Sequence, residues 1–237
     1  MDIILNNKDN SNHKERIKIK EDTNIFINYA NSNTELTIET SPNTSIRVLD
    51  TSKNTKNIIT YNVDKNVNLI INKLSIDCSD TLTVNIKGKN ANVNINNSIV
   101  NYKDNIYTEK FIHSKEDSRS NIVNHALNME NSVFRFIVDG IIEKNSSNTY
   151  FNQENQIINY KDGDSQILPN LIVSNNDIEA NHSAYVGSFK EDYLFYLMTR
   201  GISKEESIKL LTRAFLINSM QLKDEEEKIF NDIINSL

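Results

Sequence analysis

Short alternating runs of apolar residues dominate the chain from about residue 15 to residue 184. Examples are Leu69 with Ile71, and Leu82 with Val84 and Ile86. A period of two is typical of a β-strand that buries one face. Most of the strand starts recur at intervals of roughly 8–12 residues, which is the spacing of an all-β sandwich, barrel or solenoid.

Turn-forming residues help to choose among these three architectures. The chain has only five Gly and two Pro, whereas Asn supplies roughly one residue in six, far above ordinary usage. Tight hairpins need Asn-Gly, Asp-Gly or Gly-X turns, so the scarcity of Gly disfavours a hairpin-built sandwich. A parallel β-helix turns its corners with left-handed residues, and Asn adopts that backbone at lower cost than other non-glycine residues. Asn can also stack in ladders along a solenoid. AT-biased codons would enrich Asn as well, so both explanations stay open.

The C-terminal part of the chain has a helical pattern instead. Residues 190–200 carry apolar side chains at helical spacing, and Gly201 follows where a left-handed C-terminal cap belongs. Ser203 and Glu206 have the spacing of a capping box at the start of a second amphipathic helix. Asp224 opens a third, acidic helix.

Together the two patterns predict a mainly β protein with a helical tail. The predicted core is a right-handed parallel β-helix over residues 1–187. The predicted C-terminal α-helical region covers residues 188–237. At 237 residues the chain is long enough to bury a sizeable core.

Charge and cysteine content exclude several classes of function. The formal net charge of -6 argues against a general phosphate-binding surface, so nucleic acid is not an expected partner. The single cysteine, Cys78, excludes an internal disulfide framework and any all-thiolate zinc or iron-sulfur site within one chain. No run of eighteen apolar residues and no signal-peptide pattern occurs, so no membrane association is predicted and the expected location is cytoplasmic.

Several separated motifs resemble the SufB/SufD family. Residues 168–171 read Leu-Pro-Asn-Leu, residues 181–187 read Asn-His-Ser-Ala-Tyr-Val-Gly, and residues 194–206 run from Leu-Phe-Tyr to Lys-Glu-Glu. Upstream, residues 111–113 (Phe-Ile-His) and 118–123 (Ser-Arg-Ser-Asn-Ile-Val) are similar to a second segment of the SufB type. The motifs occur in the family's order between about residues 111 and 220.

The resemblance implies a cytosolic scaffold for iron-sulfur cluster assembly in the SUF system. Such proteins have a parallel β-helix core and a helical C-terminal region that docks an ABC-type ATPase, SufC. In this family two β-helix subunits pair with two ATPases, and the resemblance implies that nucleotide-driven closure rearranges the interface where the cluster forms. The chain is then expected not to be an enzyme, and to carry a transient iron-sulfur cluster, iron, or no cofactor as purified. The resemblance leaves open a homodimer or a SufB/SufD-type heterodimer.

The resemblance also nominates site residues. His182 matches the family position at the subunit interface that is implicated in cluster assembly, and imidazole suits iron. Glu154 stands where SufB-type members carry an essential cysteine; a carboxylate can ligate iron but cannot accept persulfide sulfur. Asn181 and Ser183 replace carboxylates beside the histidine. His113 also falls on a family motif, with a structural role favoured.

Aromatic and arginine residues of the helical region are the candidate contacts for the ATPase. These partner-binding candidates are Leu194, Phe195, Tyr196, Arg200, Gly201 and Phe215. An apolar stripe at helical spacing more often packs against its own protein, and this reading is favoured for Leu197, Leu211 and Phe215.

Two other functions compete with a cluster-holding scaffold. The missing thiolate favours a cluster-less structural subunit of the SufD type that supports a cysteine-bearing partner. A β-helix polysaccharide lyase or hydrolase is the enzyme alternative, but no paired acid and base residues stand out. Cys78 lies outside the matched motifs, and a buried apolar role is favoured over cluster ligation.

Overall fold

A computed structural model of the protein describes residues 1–6, 13–129 and 131–235. These residues form a series of strands followed by three helices. The strands are β1 (Asp2–Asn6), β2 (His13–Ile19), β3 (Thr23–Asn28), β4 (Thr34–Thr40), β5 (Ser45–Lys53), β6 (Ile58–Val63), β7 (Asn68–Ile76), β8 (Thr81–Ile86), β9 (Asn92–Asn101), β10 (Asn105–His113), β11 (Arg119–Asn128), β12 (Val133–Ile142), β13 (Thr149–Asn159), β14 (Asp164–Val173) and β15 (Ile178–Gly187). The helices are α1 (Glu191–Thr199), α2 (Lys204–Ile217) and α3 (Asp224–Asn235).

Successive strands alternate between two sheets. The odd-numbered strands lie side by side in sequence order from β1 to β15, and the even-numbered strands form the second sheet from β2 to β14. All the pairings between these strands are parallel. The chain therefore winds as a β-solenoid, with eight strands in one sheet and seven in the other over the described residues. The prediction of a parallel β-helix with a C-terminal helical region is confirmed.

Left-handed residues turn the corners of the solenoid. In one stack of corners, Asn43, Asn66 and Asn90 have φ angles of 61°, 55° and 58°. The N–H of Asn43 donates to the carbonyl of Lys65 on the next turn, and the N–H of Asn66 donates to that of Lys89. The side chains stack too, because the Asn66 Nδ2 donates to the Asn43 Oδ1 at 2.7 Å. The interpretation of Asn as a corner and ladder residue is confirmed at these positions.

Aliphatic side chains fill most of the interior of the solenoid, turn upon turn. Ile25, Val48, Ile71, Ile95 and Ile122 occupy one register row across neighbouring strands, and each is at most 1% exposed. Burying a side chain of this size contributes about 1.5–3 kcal/mol relative to leaving it in water. The apolar residues that alternate along the sequence are thus the ones that form this interior row.

Helix α1 ends and helix α2 begins at the predicted caps. Gly201 has a φ of 87°, and the N–H of Ile202 reaches back to the carbonyl of Leu197, which is the Schellman arrangement at the end of α1. The Ser203 side chain accepts from the N–H of Glu206 at 3.2 Å and caps α2. None of the helices in the described ranges is long and apolar enough to cross a membrane.

A second apolar cluster joins helices α2 and α3 to the outer face of the solenoid. Its buried members are Leu49, Leu74 and Val100 from the strands, and Leu216, Phe230 and Ile234 from the helices. The secondary structure changes between Gly187 and Glu191. Helices α2 and α3 nevertheless share a core with the strands, and the functional division into residues 1–187 and 188–237 stays a prediction.

Candidate functional site

The C-terminal end of the solenoid is open. β14 and β15 are each the last strand of their sheet, so one edge of each strand has no neighbouring strand in the described part of the chain. Apolar side chains on these two strands reach solvent: Leu168, Ile172, Val173, Tyr185 and Val186 are each 40–55% exposed. Unpaired strand edges together with exposed apolar side chains are typical of an interaction surface.

His182 lies on this open end, at an inward register position. It pairs in register with Gln153 of β13, which pairs with Ile122 of the interior row. Gln153 is fully buried, and neither its Oε1 nor its Nε2 has a hydrogen-bond partner. His182 itself is exposed. The lumen thus ends in polar side chains, with His182 at its exposed rim.

Glu154 lies on the opposite face of the same sheet. It pairs in register with Ser183 rather than with His182, because neighbouring positions on a strand alternate between faces. Glu154 is half-buried, and its Oε1 accepts a hydrogen bond from the Gln156 Nε2 at 2.6 Å. Its charge acts on His125: burial lowers the pKa of His125, and Glu154 opposes that shift. The two predicted ligands of one chain are therefore not brought together.

The other residues beside His182 do not complete a metal site within one chain. Asn181 and Ser183 are exposed and share the face of Glu154. Throughout the described ranges, no group of three or more His, Cys, Asp or Glu side chains could hold a metal ion. Imidazole at the open end can ligate iron, but further ligands would have to come from a second molecule.

Cys78 and His113 are buried away from this end. Burial raises the pKa of the Cys78 thiol to about 12, and the Thr55 Oγ1 lies 3.1 Å from its Sγ. Burial lowers the pKa of His113 to about 4, and its ring nitrogens lie 2.7 Å from the hydroxyls of Ser118 and Ser120. Both residues have the environment of structural side chains, as the sequence favoured.

Helix α1 presents aromatic side chains to solvent. Phe195 is 69% exposed and Tyr196 is 57% exposed. Arg200 stacks over the Tyr196 ring, with 5.2 Å between its guanidinium carbon and the ring centroid, while Leu194 is half-buried. Tyr193 is exposed too and adds a further aromatic ring to this surface. Its helical spacing in the sequence did not predict this exposure.

Phe215 differs from the other candidates for ATPase contact. Its ring stacks on His125 of β11, with 4.6 Å between the ring centroids, and meets Phe189 edge-on at 6.1 Å. The side chain is half-buried. Phe215 therefore packs α2 against the solenoid, which agrees with the packing role that its helical spacing favoured.

Curated relatives match parts of the chain. The chain is 29% identical over 133 residues to the iron-sulfur cluster assembly protein SufD of Bacillus subtilis, which covers 54% of this chain and 30% of the relative. It is 29% identical over 107 residues to the SufBD family protein ycf24 of Galdieria sulphuraria, and this match covers 45% of this chain and 48% of the relative. A SufBD family protein of Pyrococcus horikoshii is 37% identical over 51 residues, and this match covers 22% of this chain and 11% of the relative. The chain therefore spans less than half the length of each of these relatives.

A family model extends the similarity over most of the chain. The SufBD core domain of SUF-system iron-sulfur cluster assembly matches residues 12–215. This range includes all the strands from β2 to β15 and reaches into α2. The match and the parallel β-solenoid agree, and the chain belongs to the SufBD family of iron-sulfur cluster assembly proteins.

Proposed function

We propose that the chain is a scaffold subunit of a SUF-type iron-sulfur cluster assembly complex. In this proposal it pairs with a second β-helix subunit through its open end and docks an ABC-type ATPase through its helices. The observation that carries the proposal is the position of His182 on an exposed solenoid end with two unpaired strand edges. The chain itself is assigned no catalysis, ATP hydrolysis belongs to the partner, and the proposed location is the cytoplasm.

Pairing through the open end would complete an iron site. Two subunits that abut through β14 and β15 would cover each other's exposed apolar side chains and satisfy edge backbone groups. His182 of each subunit would then lie at the shared surface, where iron or a nascent cluster is held as cargo. Glu154 faces the other side of the sheet and is the weaker candidate ligand.

Docking of the ATPase would use the exposed face of α1. Phe195, Tyr196 and Arg200 offer the aromatic and guanidinium side chains that commonly anchor protein interfaces. The Schellman turn at Gly201 ends α1 directly before α2, so this surface lies next to the helix that packs on the solenoid.

Anaerobic reconstitution tests the role of His182. Wild type, His182→Ala and the control His13→Ala are each incubated with iron and sulfide, and cluster absorbance is recorded with the molar mass from light scattering. His13 is an exposed histidine on β2, at the other end of the solenoid. We expect His182→Ala to lose most of the absorbance while keeping its oligomeric mass. Unchanged absorbance would remove His182 from the site.

Co-purification with an ABC-type ATPase tests the docking surface. We expect Phe195→Ala combined with Tyr196→Ala to weaken ATPase capture at least about tenfold, because two interface anchors of this type are each worth about 1–2 kcal/mol or more. Ile106→Ala changes a similarly exposed apolar residue on β10 and serves as the control. Equal capture by the double variant and the control would refute docking through α1.

A second candidate function is a cluster-less, SufD-like subunit. It is favoured by the absence of an accessible thiol in this chain, since the only cysteine is buried, and by the similarity to SufD of Bacillus subtilis. Co-purification with a cysteine-bearing family member, without cluster on this chain alone, would support it. A complex of this chain and the ATPase that assembles cluster with no second SufBD protein would exclude it.

A further inference from the structure

A cluster of three charged side chains lies inside the solenoid, far from the open end. The Lys73 Nζ is 2.7 Å from the Asp50 Oδ2 and 3.2 Å from the Asp80 Oδ2. All three side chains are at most 2% exposed. Asp50 and Lys73 are register partners on the adjacent strands β5 and β7, so the parallel ladder holds them side by side.

The cluster holds one lysine and two carboxyl groups out of water. Two ionised carboxylates would leave a net negative charge in the interior, which is costly. Burial raises the pKa of Asp50, which favours its protonated form, although Lys73 and Ser52 oppose the shift. Asp80 is anchored as a hydrogen-bond acceptor instead, because its Oδ1 accepts from the Thr55 hydroxyl at 2.8 Å and from the N–H of Asn57 at 2.7 Å.

The same atoms are arranged as a nucleophile, an acyl group and a base. The Lys73 nitrogen lies within contact distance of the carboxyl group of Asp50, and Asp80 contacts the same nitrogen from another side. The Ser52 hydroxyl donates to the Asp50 Oδ1 at 2.6 Å, where negative charge would develop during attack on the carboxyl carbon. Because the fold already holds the two groups in contact, the reaction does not pay the entropy cost of bringing two free reactants together.

We propose that Lys73 and Asp50 form an intramolecular amide bond, with Asp80 as the base. Asp80 takes a proton from the Lys73 ammonium, and the neutral amine attacks the carboxyl carbon of protonated Asp50. The C–N bond forms as the C–O bond to the Asp50 hydroxyl breaks, and Asp80 passes its proton to the leaving oxygen, which departs as water. Asp80 then takes the second proton from the new amide nitrogen and ends protonated. One water molecule is released, and no oxidant, reductant or cofactor is needed.

Burial distinguishes this pair from the surface ion pairs of the protein. Lys89 contacts Glu116 at 2.9 Å and Asp117 at 3.1 Å, but its side chain is 51% exposed. Water keeps such groups ionised, and an ammonium ion is not a nucleophile. Around Lys73 the interior is closed. Burial alone would lower the pKa of Lys73, but Asp50, Tyr107 and Asp80 hold it well above its usual value. The nitrogen therefore becomes a nucleophile only when its proton passes directly to the contacting Asp80. The proposed bond would staple two neighbouring turns of the solenoid to each other.

Intact-protein mass spectrometry under denaturing conditions tests the proposal. The amide bond lowers the mass by about 18 Da, the mass of one water molecule, relative to the sequence. Trypsin would then fail to cut after Lys73 and would release residues 48–53 covalently joined to residues 66–87. We expect Lys73→Arg, which keeps the positive charge but cannot deprotonate, to show the full mass. We expect Asp80→Asn, which removes the base, to show it too.

The control variant is Glu109→Gln. Glu109 is another fully buried carboxyl group, but its oxygens accept from the amides of Asn97 and Asn124 and do not contact Lys73. We expect this variant to keep the mass loss of about 18 Da. A wild-type protein of full mass that trypsin cuts after Lys73 would overturn the proposal. So would a mass loss confined to a single peptide, which indicates an Asp succinimide rather than a cross-link.

Discussion

The contact between α3 and the solenoid can be tested by truncating Phe230. This side chain is 0% exposed and lies in the cluster with Leu49, Leu74 and Val100 of the strands. A buried Phe covers roughly 200 Å² of surface, which at about 25 cal/mol per Å² corresponds to about 5 kcal/mol. Ala keeps part of that area, so Phe230→Ala is expected to cost about 3–5 kcal/mol.

That loss should fall mainly on α3 rather than on the whole protein. α3 has 12 residues, and isolated helices shorter than roughly 12–15 residues are marginal in water. Without Phe230 the helix should detach and lose its backbone hydrogen bonds, while the solenoid keeps its own interior. Hydrogen exchange measured by mass spectrometry should then show faster exchange for residues 224–235 and unchanged protection in β8.

The neighbouring residue Ile229 provides the matched control for this experiment. It lies on the same helix and is 42% exposed, so Ile229→Ala should cost less than about 1 kcal/mol and leave exchange in α3 nearly unchanged. Unchanged exchange in α3 of Phe230→Ala would refute the reasoning. An equal rise in exchange in α3 and β8 would refute it too, because helices and solenoid would then unfold as one cooperative unit.

Three further predictions concern a corner, an ion pair and the thiol. Asn66→Val should be about 1–2 kcal/mol less stable than Asn66→Gly in urea denaturation, because position 66 has a φ of 55°; equal stabilities would contradict the corner role. Burial alone would raise the pKa of Glu226, but Arg47 and the N–H of Lys223 hold it below its usual value. The stabilisation that ionised Glu226 gives the folded state is complete above its unfolded pKa and is lost as the pH falls through its folded pKa. The destabilisation by Glu226→Gln should therefore shrink as the pH is lowered from about 7 to about 3. A difference in urea midpoint between variant and wild type that stays constant over this range would contradict the prediction. Cys78 should react with a thiol reagent at neutral pH only after unfolding, because burial raises its pKa to about 12; rapid labelling of the native protein would show an accessible thiol.

The apolar pattern predicted those strands whose inward positions are apolar. In β8 the inward residues Leu82, Val84 and Ile86 are buried, and the sequence shows the period of two directly. In β13 the inward positions include Gln153 and Asn155, which carry no such signal although both are fully buried. An apolar pattern with a period of two reveals a strand only where its inward side chains are apolar. Strands with polar inward side chains can be located only from the strands on either side of them.

The composition pointed to Asn at the corners but left codon bias as a second explanation for its abundance. Scarce Gly argued against hairpins, and Asn took most of the left-handed positions of the described solenoid, with Asp77, Asp117 and Lys161 at the others. The spacing from Asn43 to Asn66 to Asn90 is a repeat that the sequence contains and that would have given the length of a turn. The helical caps at Gly201 and Ser203 were predicted in the same way, because a cap depends only on residues close to it in the sequence.

What only the tertiary structure decided is which side chains meet. His182 and Glu154 were nominated together, but the register pairs Gln153 with His182, and a shift of one residue along a strand exchanges the two faces of a sheet. Phe195 and Phe215 are the same residue type on neighbouring helices, yet one is exposed and the other packs on the solenoid. The sequence by itself indicated the fold and the family, because those depend on the period-two pattern, the scarcity of Gly and the matched motifs. The structure decided that Asn turns the corners, which the composition had left open. The site and the buried Lys73 cluster depend on contacts between turns, and residues 23 or more positions apart become neighbours only when the solenoid closes.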